Sequence, residues 1–308
     1  MPVVKANGIN IFYEAAGDST GTPMLLIMGL GMQLIAWPED FVAALVELGF
    51  YVIRIDNRDS GLSDKFDHAG KPSLPLAFIK SALRLPLKSA YTLDDMARDS
   101  VGLLNALGVP RAHIVGASMG GMIAQIVAAR YPQRVLSLTS IMSSSGKRGL
   151  PGPTREACAV LFKRPANPKD FDSVLAHGAN TFRVIGSPAY PTPERLLRER
   201  ITRAIRRNVC TGGVARQMVA IVASGDRSML LGVISAPTLV IHGAADPLVP
   251  LAGGQDTARK IAGARLEVIE GMGHDLPAQL IERLVALIDA HAHGKIDSYP
   301  TERLFQKQ

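Results

Sequence analysis

The chain alternates between short, continuous apolar runs and longer stretches whose apolar residues recur every three or four positions. That pattern predicts strands interleaved with helices. Continuous runs occur at Met24 to Met28, Tyr51 to Ile55, Ala112 to Val115, Val135 to Met142, Pro237 to His242 and Arg265 to Ile269. A strand that is apolar on both faces belongs in a sheet covered on both sides, and such sheets are mainly parallel. Helical periods fill the intervals. They run over Trp37 to Leu48, from Thr92 with its acidic first turn to Leu107, over Met122 to Arg130, over Ala252 to Ile261, and over an amphipathic closing stretch from Leu276 to Ala290. Ahead of them, residues 3 to 15 read as two short strands joined at Asn7-Gly8, a pair that favours the tight hairpin turn.

Two intervals depart from the alternation. Between residues 65 and 90 an apolar, basic run is punctuated by Pro72, Pro75 and Pro86, and both a long loop and a short amphipathic helix fit it. Across 145–230 strand character is lost and helical patterns dominate, the clearest being Glu194 to Asn208 with Leu197, Ile201, Ala204 and Ile205 on one side. The expected organisation is therefore a core domain built from residues 1–144 and 231–308, with a helical cap over 145–230. Beyond His291 the polar tail is expected to fray.

Composition narrows the class. With 308 residues, 47% of them hydrophobic, the chain can bury one core and carry an insertion. No apolar run nears the roughly 20 residues of a membrane span, and no basic-then-apolar leader opens the chain, so a cytoplasmic protein without stable membrane insertion is expected. Cys158 and Cys210 are too few for a disulfide framework and too far apart for a metal-binding pair, and are expected as buried free thiols. The net charge of +7 is concentrated: residues 147–216 hold 14 Lys/Arg against 5 Asp/Glu. The segment lacks the interleaved aromatics of a nucleic-acid site. A solvated arginine face is the expectation, with attachment of the arginine-rich helix to a membrane surface as the alternative.

One stretch carries chemistry. Gly116-Ala117-Ser118-Met119-Gly120-Gly121 lies between a strand run and a helix run, in the Gly-x-Ser-x-Gly form that lifts a serine hydroxyl clear of a sheet edge. A serine needs a base and a group that orients the base. Of seven histidines, His113 and His242 lie inside strand runs, His68 and His177 in the variable loop and the cap, and His291 and His293 in the tail. His274 remains, in the glycine-rich loop after the last strand. Asp246 follows the preceding strand, and Asp275 is a poorer acid because adjacent residues rarely direct their side chains at each other. The chain order Ser118, Asp246, His274 is the one expected when this turn is built into an open sheet. The amides of Met119 and Leu30 are the expected pair of donors for a negative oxygen. Gly29, Trp37, Met119 and Met272 are candidates for lining a pocket, although core packing explains the last three equally well. No metal or cofactor is expected.

Together, Met28-Gly29-Leu30-Gly31, Asp56-Asn57-Arg58-Asp59-Ser60-Gly61, the serine turn, His242-Gly243-Ala244-Ala245-Asp246 and Gly273-His274 resemble the α/β-hydrolase family over residues 3 to 290. Within it the chain is most similar to capped bacterial esterases of the aclacinomycin methylesterase-like type. The resemblance implies hydrolysis of a small-molecule carboxylic ester through an acyl-enzyme on a Ser-His-Asp triad. Met28 departs from the histidine that many relatives carry there. Relatives that use an aspartate nucleophile, the dehalogenases and epoxide hydrolases, are disfavoured by Ser118. Lactone opening, carbon–carbon bond hydrolysis, cofactor-free perhydrolase or haloperoxidase chemistry, and a binding-only receptor of the same fold stay open.

Overall fold

The computed structural model describes residues 2–296. The chain opens with strands β1 (Val3–Ala6) and β2 (Ile9–Ala16), joined at Asn7 and Gly8, whose φ values of 49° and 82° make the mirror-image turn that matches strand twist. There follow β3 (Thr22–Ile27), α1 (Glu39–Glu47), β4 (Phe50–Ile55), α2 (Leu74–Ala82), α3 (Leu93–Ala106), β5 (Ala112–Ala117), α4 (Met119–Arg130) and β6 (Val135–Ile141). Between β6 and the next strand lie five helices and no strand: α5 (Arg155–Phe162), α6 (Phe171–Ile185), α7 (Glu194–Arg207), α8 (Thr211–Ser224) and α9 (Ser228–Leu231). The chain returns to the sheet with β7 (Thr238–Gly243), α10 (Leu251–Lys260), β8 (Arg265–Ile269) and α11 (Ile281–Ala292).

The eight strands form one sheet in the order β1-β2-β4-β3-β5-β6-β7-β8. β1, β2 and β4 pair antiparallel, and every pair from β4 to β8 is parallel. Successive strand residues serve opposite faces. Leu25, Ile27, Ile53 and Ile114 join a core with Met96 and Leu103 of α3 and Ile123 of α4, whereas Met24, Leu26, Val52 and Val115 join one with Phe41 of α1 and Leu284 and Leu287 of α11. The chain runs from β3 outward to β4 and then back across to β5, so the strand order reverses between β3 and β5. Ligands of open α/β sheets bind at such a point, outside the carboxyl ends of the strands.

Several elements differ from the sequence expectation. The helix expected from Trp37 begins at Glu39, because Pro38 cannot donate and occupies the cap position. The closing helix begins at Ile281 rather than Leu276, after Pro277 and a single tight turn, and it extends through Ala292. His291, assigned to a fraying tail, is instead buried, with Nε2 3.1 Å from Leu138 O, and His293 caps the helix. The remainder of that tail, 297–308, lies outside the described residues. Residues 65–90, left open between loop and helix, contain a short turn at Asp67–Ala69 and α2. Cys158 and Cys210 are free but only half-buried. No helix among the described residues is long and apolar enough to cross a membrane.

Three buried histidines link the fold to pH. Burial holds His113 down at about 4, and also depresses His242 and His291 below the usual 6.5. The unfolded chain then binds more protons than the folded one in the interval between those values, so stability is complete above about 6.5 and falls as pH drops toward 4. The urea unfolding midpoint is expected to be lower at pH 5 than at pH 7, and His113→Gln to flatten that dependence.

Candidate active site

Ser118 sits where β5 gives way to α4, at φ 56° and ψ −119°, a region of backbone space that costs on the order of 1–3 kcal/mol to occupy. The surroundings hold it there. Its N–H donates to Ile141 O at 2.9 Å, and its carbonyl accepts from Ser143 Oγ at 2.8 Å and from Met122 N–H at 3.2 Å. The glycine after Met119 is needed for contact: a Cβ on Gly120 would lie 2.0 Å from Ile27 O, so only glycine lets α4 start against the end of β3.

Three loops from three strand ends converge on this serine. His274 Nε2 lies 2.9 Å from Ser118 Oγ, and His274 Nδ1 lies 2.7 Å from Asp246 Oδ2. Asp246 Oδ1 accepts the amides of Leu248 and Val249 at 2.9 and 2.8 Å, which fixes the carboxyl plane. Both side chains are buried. Ala245 N–H donates to Met272 O at 3.0 Å, tying the aspartate loop to the histidine loop. His242 supports the same loop from below by donating Nε2–H to Val249 O at 2.7 Å. The carbonyl can only accept, so that tautomer is fixed. Asp275, the poorer acid candidate, accepts the Ser187 hydroxyl at 2.5 Å instead, while burial pushes its carboxyl up.

The loop after β3 closes the fourth side. A Cβ on Gly29 would lie 3.1 Å from Ser118 Cβ and 3.5 Å from Oγ, so a side chain there would crowd the serine. Met119 N–H opens α4 beside it. Neither Leu30 N–H nor Met119 N–H donates to any described residue. Trp37 and Met272 do not line a cavity: both are fully buried in the core shared with α1 and α11, Trp37 stacking on Phe41 at 5.3 Å. The expectation that they face a pocket gives way to packing, because no space remains on any side of them for a ligand. Met119 likewise packs into the core shared with α3, leaving its amide as the group at the site.

Sequence reading missed the residues that hold these loops. Asp56 to Gly61, polar in sequence, is buried throughout. Asn57 donates to Met28 O at 2.9 Å, Ser60 Oγ to Met32 O at 2.6 Å, and Asp56 accepts Leu34 N–H at 2.7 Å, so three of its side chains brace the Met28–Leu34 segment. Helix α8 supplies a fourth brace. Gln217 accepts Gly31 N–H at 2.7 Å and donates to Arg58 O at 2.8 Å. Gln217 stands among the buried residues Gly213, Ala215, Arg216, Val219 and Ala220 of α8, and a glutamine in a helix this rich in small residues was the available signal, since a buried amide must find partners. From the other side, Ile185 O at the end of α6 accepts His274 N–H at 2.7 Å, and Ser187 Oγ accepts Gly273 N–H at 2.8 Å.

Two arginines of the basic segment are also drawn inward rather than solvated. Arg207 reaches Asp56 at 2.8 Å. Arg216 grips both oxygens of Asp59, at 2.7 and 2.8 Å, and Tyr91 OH donates to the same carboxylate at 2.6 Å. Burial opposes ionisation of Asp59, but the donors Arg216, Tyr91 and the Phe66 amide outweigh it and hold its carboxyl below the ordinary range. Next to it, Arg58 grips Asp99 through two contacts of 2.6 Å.

The strand order, the serine turn at the reversal point and the succession of strand-end loops define the α/β-hydrolase class of fold. A family model described as the alpha/beta hydrolase fold matches residues 22–278. The chain belongs to the α/β-hydrolase family. Rhodomycin D methylesterase DauP from Streptomyces sp. (strain C5) is 28% identical over 95% of this chain and 98% of its own. A 2-hydroxy-6-oxo-6-phenylhexa-2,4-dienoate hydrolase from Comamonas testosteroni is 35% identical over 86% and 84%. The solved meta-cleavage product hydrolase from Pseudomonas fluorescens IP01 shares the fold, with a TM-score of 0.74 at 21% identity and coverage of 96% and 98%.

Breaking a buried ion pair strands the remaining charge. Arg216→Met is therefore expected to lower unfolding free energy by about 3–5 kcal/mol in urea titrations. An exposed control, Arg195→Met, is expected to change it by less than about 1 kcal/mol.

Proposed function

We propose that the protein is a carboxylic-ester hydrolase with Ser118, His274 and Asp246 as its triad. The observation that carries this reading is the continuous contact from Ser118 Oγ through the His274 imidazole to an aspartate held by two amides. Similarity to a methylesterase over nearly the whole of both chains supports the ester as the bond cleaved.

In the proposed reaction His274 Nε2 takes the Ser118 proton as Oγ attacks the ester carbonyl. Asp246 keeps Nδ1 protonated, orients the ring and offsets the charge that forms on it. The amides of Leu30 and Met119 receive the negative oxygen of the tetrahedral intermediate, for which each such donor is worth about 3 kcal/mol. Collapse expels the alcohol, protonated by His274, and leaves an acyl-enzyme. Water, activated by the same nitrogen, releases the acid and restores Ser118. The helices between β6 and β7 act as a cap in this reading: their Gln217 steadies the Leu30 amide, and their Ile185–Ser187 segment steadies the histidine loop.

A fluorophosphonate probe is expected to label Ser118 in the folded protein, and Ser118→Ala to abolish both labelling and turnover of short-chain p-nitrophenyl esters. Absence of an adduct on Ser118 overturns the reading. Asp246→Asn is expected to lower kcat by roughly 10⁴, because the wrong tautomer is then favoured. The 35% relative supports carbon–carbon bond hydrolysis as a second reading on the same residues. Faster turnover of a 2-hydroxy-6-oxo-dienoate than of every ester in a panel would establish it.

Gln217 gives a separate test of the oxyanion loop. Gln217→Leu is expected to lower kcat by up to about 10², the scale of a misplaced catalytic group, with KM moving much less. Gln217→Glu keeps an acceptor for Gly31 N–H and is expected to recover part of the loss.

A further inference from the structure

Six of the thirteen large apolar side chains exposed among the described residues belong to α2, the turn after it and α5. Leu76, Ile79, Leu83 and Leu85 are each half or more exposed, and Phe78 and Phe162 each more than a third. Phe78 and Phe162 meet edge to face with ring centroids 5.7 Å apart, so α2 and α5 present a single patch. Arg148, ahead of α5, donates to Ser81 O at 3.1 Å and joins the two segments again. Within α2 only Ala77 is buried.

The turn that ends α2 keeps Leu85 with this group. Leu85 N–H donates to Lys80 O at 2.8 Å and Arg84 N–H to Ser81 O at 3.2 Å, while Arg84 adopts φ 58°. This is the doubly bonded helix terminus in which glycine is the usual residue. The chain therefore reverses at a fixed place, and the apolar residues on both sides of the turn stay close together.

Exposed apolar area does not by itself name what covers it, but the charge around it does. Lys71, Lys80, Arg84 and Lys88 carry no acidic residue among them between positions 71 and 90. On the α5 side, Arg148, Arg155, Lys163 and Arg164 face a single Glu156 between positions 148 and 164. A two-fold contact with a second copy would press these cations against one another. An anionic bilayer complements both features, taking apolar side chains into the headgroup boundary and cations against its phosphates. Helix α7, more basic by count, lacks that combination. Four of its six arginines pair with Glu199, Glu194, Glu39 and Asp56, Arg206 lies over the Phe171 ring, and its apolar residues Leu197 and Ile201 are buried.

We propose that the patch formed by α2, the turn to Lys88, and Phe162 of α5 docks peripherally on anionic phospholipid membranes. The proposal stands on surface composition and is independent of the ester-hydrolase reading. It is tested by co-sedimentation of the full chain with vesicles of phosphatidylcholine alone and of phosphatidylcholine with about a third phosphatidylglycerol. Binding to the anionic vesicles is expected, with little to the neutral ones and a decline as salt rises. The double variants Ile79→Ser/Leu83→Ser and Lys80→Glu/Arg84→Glu are each expected to weaken it by more than about tenfold. Arg195→Glu/Arg198→Glu is expected to leave it unchanged. Circular dichroism and the urea unfolding midpoint report whether each variant is folded.

No binding, or equal binding to both vesicle types, overturns the proposal. Loss of binding in the charge variant but not in the apolar variant also overturns it, reducing the patch to a simple anion-attracting surface. Concentration-dependent dimers in sedimentation velocity that disappear in Ile79→Ser/Leu83→Ser, without vesicle binding by the native chain, would assign the patch to a second copy instead.

Discussion

The strained backbone of Ser118 is the constraint around which the site is arranged. A non-glycine residue at φ 56° persists only where its neighbours leave it no alternative, and here they act in three directions. The end of β6 takes its amide, Ser143 takes its carbonyl, and the end of β3 packs so closely on α4 that the helix cannot shift to relieve the angle. The strain turns the hydroxyl toward the loops from β7 and β8 and leaves the first amide of α4 beside it. A relaxed serine at this position would continue into the helix and point elsewhere.

That turn sits where the sheet reverses its order, so the loops leaving β3 and β5 diverge and leave a crevice between them. The Gly29–Met32 segment fills one side of it, and what holds this segment is polar rather than apolar. Ser60 from the loop after β4 and Gln217 from α8 bond to it directly, and Asn57 and Asp56 hold Met28 and Leu34 on either side of it. Buried polar groups satisfied in this way fix one geometry, because any displacement leaves a donor or acceptor without a partner in a low-dielectric interior. The insertion between β6 and β7 thus touches both halves of the site. Gln217 binds the loop after β3, Gln217 and Arg216 bind the loop after β4, and Ile185 and Ser187 bind the histidine loop after β8.

The sheet, the serine turn and the two loop residues His274 and Asp246 were legible because each is a local pattern: an apolar run, a glycine pair around serine, or a polar residue just past a strand end. The hairpin at Asn7-Gly8 and the helix opened by Thr92, which forms a reciprocal cap with Asp95, were legible for the same reason. What could not be read depends on contacts between distant segments. Asp59 looks like a turn residue until Arg216 is brought to it from 157 positions away. Trp37 resembles a pocket residue by its place near a glycine-rich loop, and only the packing of α1 against α11 shows that no pocket reaches it. His291 was dismissed with a polar tail, although it lies in a helix of about three turns and its ring reaches Leu138 O of β6.

Charge illustrates the same limit from the opposite side. Counting residues singles out 147–216 as the basic segment, and its densest part, α7, as the surface to suspect. In the fold that density is partly cancelled: Glu194 pairs with Arg198 and with Arg183 of α6, Glu199 pairs with Arg195, and Glu39 reaches across from α1 to Arg203. Arg207 and Arg216 point inward and hold the loops of the site. The cations around α2 are fewer, yet they border leucine, isoleucine and phenylalanine side chains that nothing in the described chain covers. An amphipathic surface draws its partner from both terms together, since apolar transfer requires contact while the charge acts across the intervening water and holds the surface close. The informative quantity is therefore the charge left uncompensated beside exposed apolar area, a property that appears only when the helices are in place.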